Sequence, residues 1–229
     1  MIAAERVGRV NSMPEESNMS TKPDTRHQRI REYGGQDFDT ACAIIDAARH
    51  CHVGMTIDDH PYVLPMACAR RERELLLHGS VASRLMKALA DGAPCCVTIT
   101  HLDGLVLARS AFNSSMHYRT VMIFGQARVV DDPEEKVAGL DTLTAHLLPG
   151  RLDELRPSTR KELNATLLVA LPIETFTTKV SQDPPDDTKA DLDEEIWAGV
   201  VPMRTVYGEP ETAPDMRFEL EPPGYLGDW

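Results

Sequence analysis

Between residues 52 and 130 the chain is a succession of short apolar runs divided by turn-forming clusters, a pattern few folds accept. HVGMTI (52–57) and YVLPMACA (62–69) flank Asp58-Asp59-His60-Pro61, residue types that favour turns. A further turn over Arg70 to Arg73 leads into ELLLH (74–78), and Ser80 to Ala90 then reads as a short helix ending near Gly92. PCCVTITHL (94–102) and GLVLARSA (104–111) read as two strands joined at Asp103-Gly104, a strong hairpin signal. A polar loop, FNSSMHYR (112–119), precedes TVMIFGQARVV (120–130), the clearest strand of the chain. Helices are inserted among these strands rather than alternating with them. Alternation would give a doubly wound parallel sheet; this order predicts a mainly β, antiparallel barrel with flanking helices.

The flanks fit that reading. Apolar residues from Phe38 to Ala48 recur at helical spacing, so a helix is predicted over Asp37 to Cys51 with Asp37 as its cap. Asp132-Pro133-Glu134-Glu135 combines a cap, an N1 proline and first-turn acids, which predicts a helix to about His146, before Pro149-Gly150. A second helical piece over 152–164 precedes ATLLVALPIETFTTKV (165–180), a strand or a pair bending at Pro172. Residues 183–195 hold seven acids and one lysine and read as a solvated loop; IWAGVVPM (196–203) is apolar again. The expected division is a flexible arm over 1–32, one domain over 33–203 and a Pro- and acid-rich tail over 204–229.

Composition narrows the partners. With 24 Lys+Arg against 36 Asp+Glu, the 229 residues carry a formal charge of −12, which disfavours nucleic acid. No apolar run approaches the roughly 20 residues of a membrane-spanning helix, and the first residues lack the apolar stretch of a secretory signal. Five cysteines, odd in number and without a CxxC, read as buried free thiols in a reducing cytoplasm.

Two segments could carry chemistry. In LHGSVASRLMKALADG (77–92) a strand ends at His78-Gly79, and Ser80 or Ser83 opens a helix bearing Arg84 and Lys87 on one face. Free N–H groups and two cations make a phosphate site; a capped, solvated surface helix would look the same. In ARSAFNSSMHYRTVMIFG (108–125) Asn113, Ser114, Ser115, Tyr118, Arg119 and Thr120 crowd between apolar strands. That is either a ligand-binding loop or a polar barrel rim. His50, His52, Asp58, Asp59 and His60 are metal-friendly residue types that sit at opposite ends of one strand, so no metal site is expected. Trp197 is either core or a lid for a flat ring.

These blocks together resemble the pyridoxamine 5′-phosphate oxidase-like, FMN-binding split-barrel superfamily, and within it the 5-nitroimidazole resistance branch of flavin-nucleotide-binding proteins. The resemblance implies a six-stranded antiparallel split barrel forming a homodimer, with FMN at the interface. Family FMN contacts would fall on Val63, Leu64 and Pro65; on His78, Gly79, Ser80, Ser83, Arg84 and Lys87; on Asn113, Ser114, Ser115, Tyr118, Arg119 and Thr120; and on Trp197. The histidine matching His78 is implied to be the reactive residue.

The expected function is therefore an FMN-dependent oxidoreductase acting on nitroaromatic or other electron-poor small molecules, with NAD(P)H or a reductase as electron donor. Two other functions fit the same residues: a non-catalytic flavin carrier, and a split barrel holding a deazaflavin or haem. For haem, His78, His101 and His117 are the candidate axial ligands.

Overall fold

The computed structural model describes Pro23, Thr25 and residues 34–229; the arm expected over 1–32 otherwise lies outside the described residues. Ten strands and four α-helices follow one another as β1 (Gly34–Gly35), α1 (Phe38–Asp46), β2 (His50–Ile57), β3 (His60–Arg71), β4 (Glu74–Ser80), α2 (Arg84–Ala90), β5 (Cys95–Leu107), β6 (Ser115–Gly125), β7 (Arg128–Val129), α3 (Pro133–Leu147), α4 (Arg160–Ala165), β8 (Thr166–Pro172), β9 (Thr175–Ser181) and β10 (Gly199–Pro202). Every pairing is antiparallel, in the order β1-β9-β6-β5-β2-β3-β4-β8-β7, with β10 added to the outer half of β5. Eight strands have four or more residues, against the six that the resemblance implies: the two expected over 94–111 are one (β5), 165–180 is the pair β8 and β9, and 199–202 adds β10.

β3 is where the sheet turns. Its first eight residues pair with β2, and only its last four, from Cys68, pair with β4. The inward faces of both halves close on one core, in which Val53, Leu75, Leu77, Val97, Ile123, Val169 and Leu171 are wholly buried. Each such side chain contributes about 1.5–3 kcal/mol. α1 adds Ala41, Ile44 and Ile45 to it, and α2 adds Leu85, Met86 and Leu89. α3 covers the outward face of β4 and β8, burying Leu76, Leu168 and Ala170 against Leu143. Its Gly139 lies so close that a Cβ there would stand 2.6 Å from Leu168.

Local signals explain most element boundaries. Asp37 caps α1 by accepting from Thr40 N at 2.7 Å, although that helix ends at Asp46 and β2 already begins at His50. Asp58 and Asp59 take positive φ (50° and 61°), which closes the β2–β3 hairpin. Asp132 and Pro133 open α3 as expected. The helix expected over 152–164 is a 3-10 turn (Leu152–Glu154) and the short α4, whose Thr159 and Glu162 form a capping box.

Asp103-Gly104 is not a turn. β5 runs through it as one strand of 13 residues, with a bulge between Leu102 and Gly104. Gly104 has no positive φ; a Cβ there would lie 3.0 Å from the Val201 carbonyl oxygen, so glycine admits β10 rather than a reversal. Asp103 instead pairs with Arg119, and the polar segment expected as a loop over 112–119 is already strand from Ser115.

The acidic segment is not simply solvated either, because the Asp187 side chain is 1% exposed in its ion pair with Arg109. The last residues return to the far end of α3. Trp229 Nε1 donates to the Pro149 carbonyl at 3.1 Å, and the Tyr225 hydroxyl donates to Glu154 at 2.9 Å. No helix among the described residues is long and apolar enough to cross a membrane.

Candidate functional site

β4 ends at a corner built by β3, β4 and α2. Strand alternation sends Leu75 and Leu77 inward and Leu76 and His78 outward, with His78 opposite Leu168 on β8. His78 Nδ1 is buried without a hydrogen-bond partner, and burial pushes the imidazole pKa below its ordinary 6.5. Gly79 lets α2 seat on the strand, since a Cβ there would meet Met86 Cγ at 2.7 Å. Ser80 and Ser83 accept from the N–H groups of Ala82 (3.1 Å) and Met86 (3.4 Å), so Ser83 is the cap and α2 begins at Arg84.

Arg84 lays its guanidinium 4.6 Å over the Tyr62 ring, and Lys87 is exposed one turn later. Among the described residues neither cation pairs with a carboxylate. Tyr62 belongs to the half of β3 that pairs with β2 alone, so the other edge of that half has no partner strand among the described residues. Val63, Leu64 and Pro65 lie there, Val63 being 65% exposed. The corner therefore offers an open backbone edge, an apolar patch, two uncommitted cations and a buried imidazole with a free nitrogen.

The second segment is occupied with structural work. Ser114 Oγ accepts from Ala108 N and donates to the Ser110 carbonyl, and Asn113 N donates to Ser110 Oγ. Thr120 Oγ donates to the Ile99 carbonyl at 2.8 Å and meets Thr100 Oγ at the same distance. Arg119 holds Asp103 through two bonds of 2.7 and 2.9 Å, which keeps that carboxyl well below the usual carboxylate range. Tyr118 faces Lys179, and Ser115 is exposed at the start of β6. Three strands (β5, β2 and β3) separate β6 from β4, so a single chain does not bring the two segments together along the sheet. Trp197 is 66% exposed and packs on Gly199 at the start of β10, beside β5.

The residues gave no warning of a cleft of about 660 Å³ between the end of α1, the middle of β5 (100–103) and residues 203–207. Arg49, His50, Leu102, Met203, Arg204 and Tyr207 line it, alongside His101 and the Asp103–Arg119 pair. Arg49 Nε is buried with no hydrogen-bond partner. The available signal was the spacing of His50 and His52, which places both rings on one strand face; they meet edge to face at 5.5 Å. Among the described residues no group of three or more His, Cys, Asp or Glu converges as a metal site.

A protein-family profile described as pyridoxamine 5′-phosphate oxidase matches residues 37–180. Among solved structures, the FAD and haem binding protein from Mycobacterium smegmatis is 40% identical, with a TM-score of 0.82 over 86% of this chain and 96% of its own. The flavocytochrome Anf3 from Azotobacter vinelandii is 35% identical, with a TM-score of 0.84 over 90% of this chain and 95% of its own. A protein assigned to 5-nitroimidazole antibiotic resistance, from Bacteroides thetaiotaomicron, shares the fold at 24% identity and a TM-score of 0.55, over 64% and 86% of the two chains. No curated protein matches.

Proposed function

The chain belongs to the pyridoxamine 5′-phosphate oxidase-like family, and from that premise we propose that it is a flavin-dependent oxidoreductase. Arg84 and Lys87 hold the flavin phosphate, and the backbone of Val63, Leu64 and Pro65 meets the ring. The observation that carries this reading is the pair of cations that, among the described residues, have no carboxylate partner, one over Tyr62, beside the edge of β3 that no described strand covers. Arg109 and Arg119 are by contrast already neutralised by Asp187 and Asp103. A bound flavin supplies hydride or single-electron transfer at N5. His78 contributes a neutral imidazole that orients a substrate or exchanges a proton with it. Nitroaromatic and similar electron-poor molecules are the proposed substrates, with NAD(P)H or a reductase as donor.

A homodimer completes the site. A second copy can set its own β6 segment and Trp197 against the β3–β4–α2 corner, which lies three strands away from β6 along the sheet of one chain. Leu105, Leu107 and Met116 form an exposed apolar ridge that such a partner would cover.

A second reading, a flavocytochrome holding FAD and haem, is favoured by the names of the relatives at 40% and 35% identity. One experiment tests both readings: the visible spectrum of the purified protein, with mass spectrometry of the released cofactors. A flavin spectrum supports the first, and the mass of the released flavin identifies FMN or FAD; an added Soret band supports the second. A colourless protein that cannot be reconstituted with either flavin overturns both.

A further inference from the structure

We infer that the cleft between the end of α1, the middle of β5 and residues 203–207 is a binding site for a small organic acid, whose carboxylate or phosphate is held by Arg49 and Arg204. The inference stands apart from the flavin reading, since none of Val63, Leu64, Pro65, His78, Arg84 and Lys87 lines the cleft.

The charges of the lining lead to it. Three arginines (Arg49, Arg119 and Arg204) and one aspartate (Asp103) face the cleft, in a chain whose formal charge is −12. Arg119 takes Asp103 through two bonds of 2.7 and 2.9 Å. Asp46, the acid nearest to Arg49 in sequence, is held in the same two-pronged way by Arg70. Arg49 and Arg204 are left without a carboxylate among the described residues.

Backbone acceptors nearby are engaged as well. An arginine just past a helix C-terminus can bond to the last carbonyls. Here Ala47 N donates to the Ala43 carbonyl and Ala48 N to that of Ile45, while His101 bonds to the Ile44 carbonyl (2.9 Å) and His146 to that of Ala48 (2.6 Å). The Asp103 carbonyl accepts from Met203 N at 2.9 Å. Arg49 Nε is buried with no hydrogen-bond partner among the described residues. A buried donor left unpaired costs free energy, so its position marks where an acceptor belongs.

The rest of the lining describes the body of the ligand. A volume of about 660 Å³ is far more than inorganic phosphate fills and lies within the range of small-molecule sites, about 300–1,000 Å³. Leu102, Met203 and Tyr207 offer apolar and aromatic surface, and Thr205 a hydroxyl. A guanidinium fork matches two oxygens of a carboxylate or phosphate. An organic acid with a small aromatic or apolar body answers all of these groups, whereas a neutral molecule leaves both arginines unpaired.

Isothermal titration of the full-length protein with benzoate, phenyl phosphate and neutral benzyl alcohol tests the site. At least one of the two anions should bind saturably, one per chain, and benzyl alcohol should not. Arg49→Ala and Arg204→Ala should each weaken that anion by about tenfold or more. Arg160→Ala, which removes an exposed arginine on α4, should match the parent. Arg204 is exposed, so its variant reports on binding even if Arg49→Ala fails to fold. The anion should also raise the thermal midpoint of the parent and leave that of Arg204→Ala unchanged. No saturable binding of either anion overturns the inference. So does equal weakening in Arg160→Ala, which would mean diffuse surface charge. Weakening by Arg84→Ala and Lys87→Ala, with the Arg49 and Arg204 variants unchanged, places the anion at the β3–β4–α2 corner and overturns it too. If Arg49→Ala and Arg204→Ala weaken FAD but leave FMN, benzoate and phenyl phosphate unchanged, the cleft belongs to a flavin adenylate and the assignment fails.

Discussion

Asp187 accepts hydrogen bonds from both the backbone N–H (2.8 Å) and the guanidinium (2.9 Å) of Arg109, 78 residues earlier in the chain. This carboxylate pins the middle of the acidic segment to the end of β5, while its start is held by the bond between His117 Nε2 and the Asp183 carbonyl. Asp187→Ala should cost about 1.5–3 kcal/mol, the scale of hydrogen bonds to a charged group, because the carboxylate is buried and its partner would be left unpaired. Chemical denaturation measures the loss, and limited proteolysis should show faster cleavage at Lys189. A variant with the parent's midpoint and cleavage pattern would contradict the tether.

The same pairing logic separates the basic residues. Arg84→Ala or Lys87→Ala should weaken flavin by about 1.5–3 kcal/mol each, or about 10- to 150-fold. Arg119→Ala, removing a cation already committed to Asp103, should instead lower stability by about 1 kcal/mol and leave flavin affinity nearly unchanged in the isolated protomer. Fluorescence titration decides. An Arg119 effect equal to that of Arg84 would place the phosphate on β6.

His78 carries the pH dependence. Its folded-state pKa lies below 6.5, so as pH falls the unfolded chain takes up the proton first. The stability tied to this ring is fully present above about pH 6.5 and is lost as pH drops through the depressed folded value. His78→Gln should remove that part of the acid loss. His78→Ala should keep flavin binding and slow turnover; equal turnover would end the role assigned to the imidazole.

What could be read from the residues is what the chain decides locally. The Asp58-Asp59 hairpin, the Asp37 cap and the Asp132-Pro133 helix start all depend on neighbours within four residues. Asp103-Gly104 misled because its composition is that of a turn, whereas its environment is a bulge approached by Val201, a contact made across almost a hundred residues. The basic residues of the second segment looked like ligand groups for the same reason: the acids that neutralise them lie at the bulge of the neighbouring strand and in a distant loop. The cleft was invisible because it exists only where residues 203–207 meet β5 and the end of α1.

An ion-pair network ties α3 to the sheet beneath it. Glu135 accepts from Arg128 (2.7 Å) and Arg71 (2.6 Å), and Glu74 accepts from the same two arginines. The Arg128 guanidinium first, and Arg71 second, hold the Glu135 carboxyl down to about 2 from an ordinary 4.5. Since the folded value is the lower one, this contribution is present above pH 4.5 and is lost as pH falls toward 2. Glu135 lies at the surface, so salt should screen the effect. Unfolding followed from pH 6 to pH 2 should therefore show a shallower acid limb in Glu135→Gln than in the parent, with the gap narrowing in about 1 M salt. Parallel limbs at low salt would mean that α3 is held by Leu143 against Leu76 and Leu168 alone, with the arginines serving only to solvate that edge.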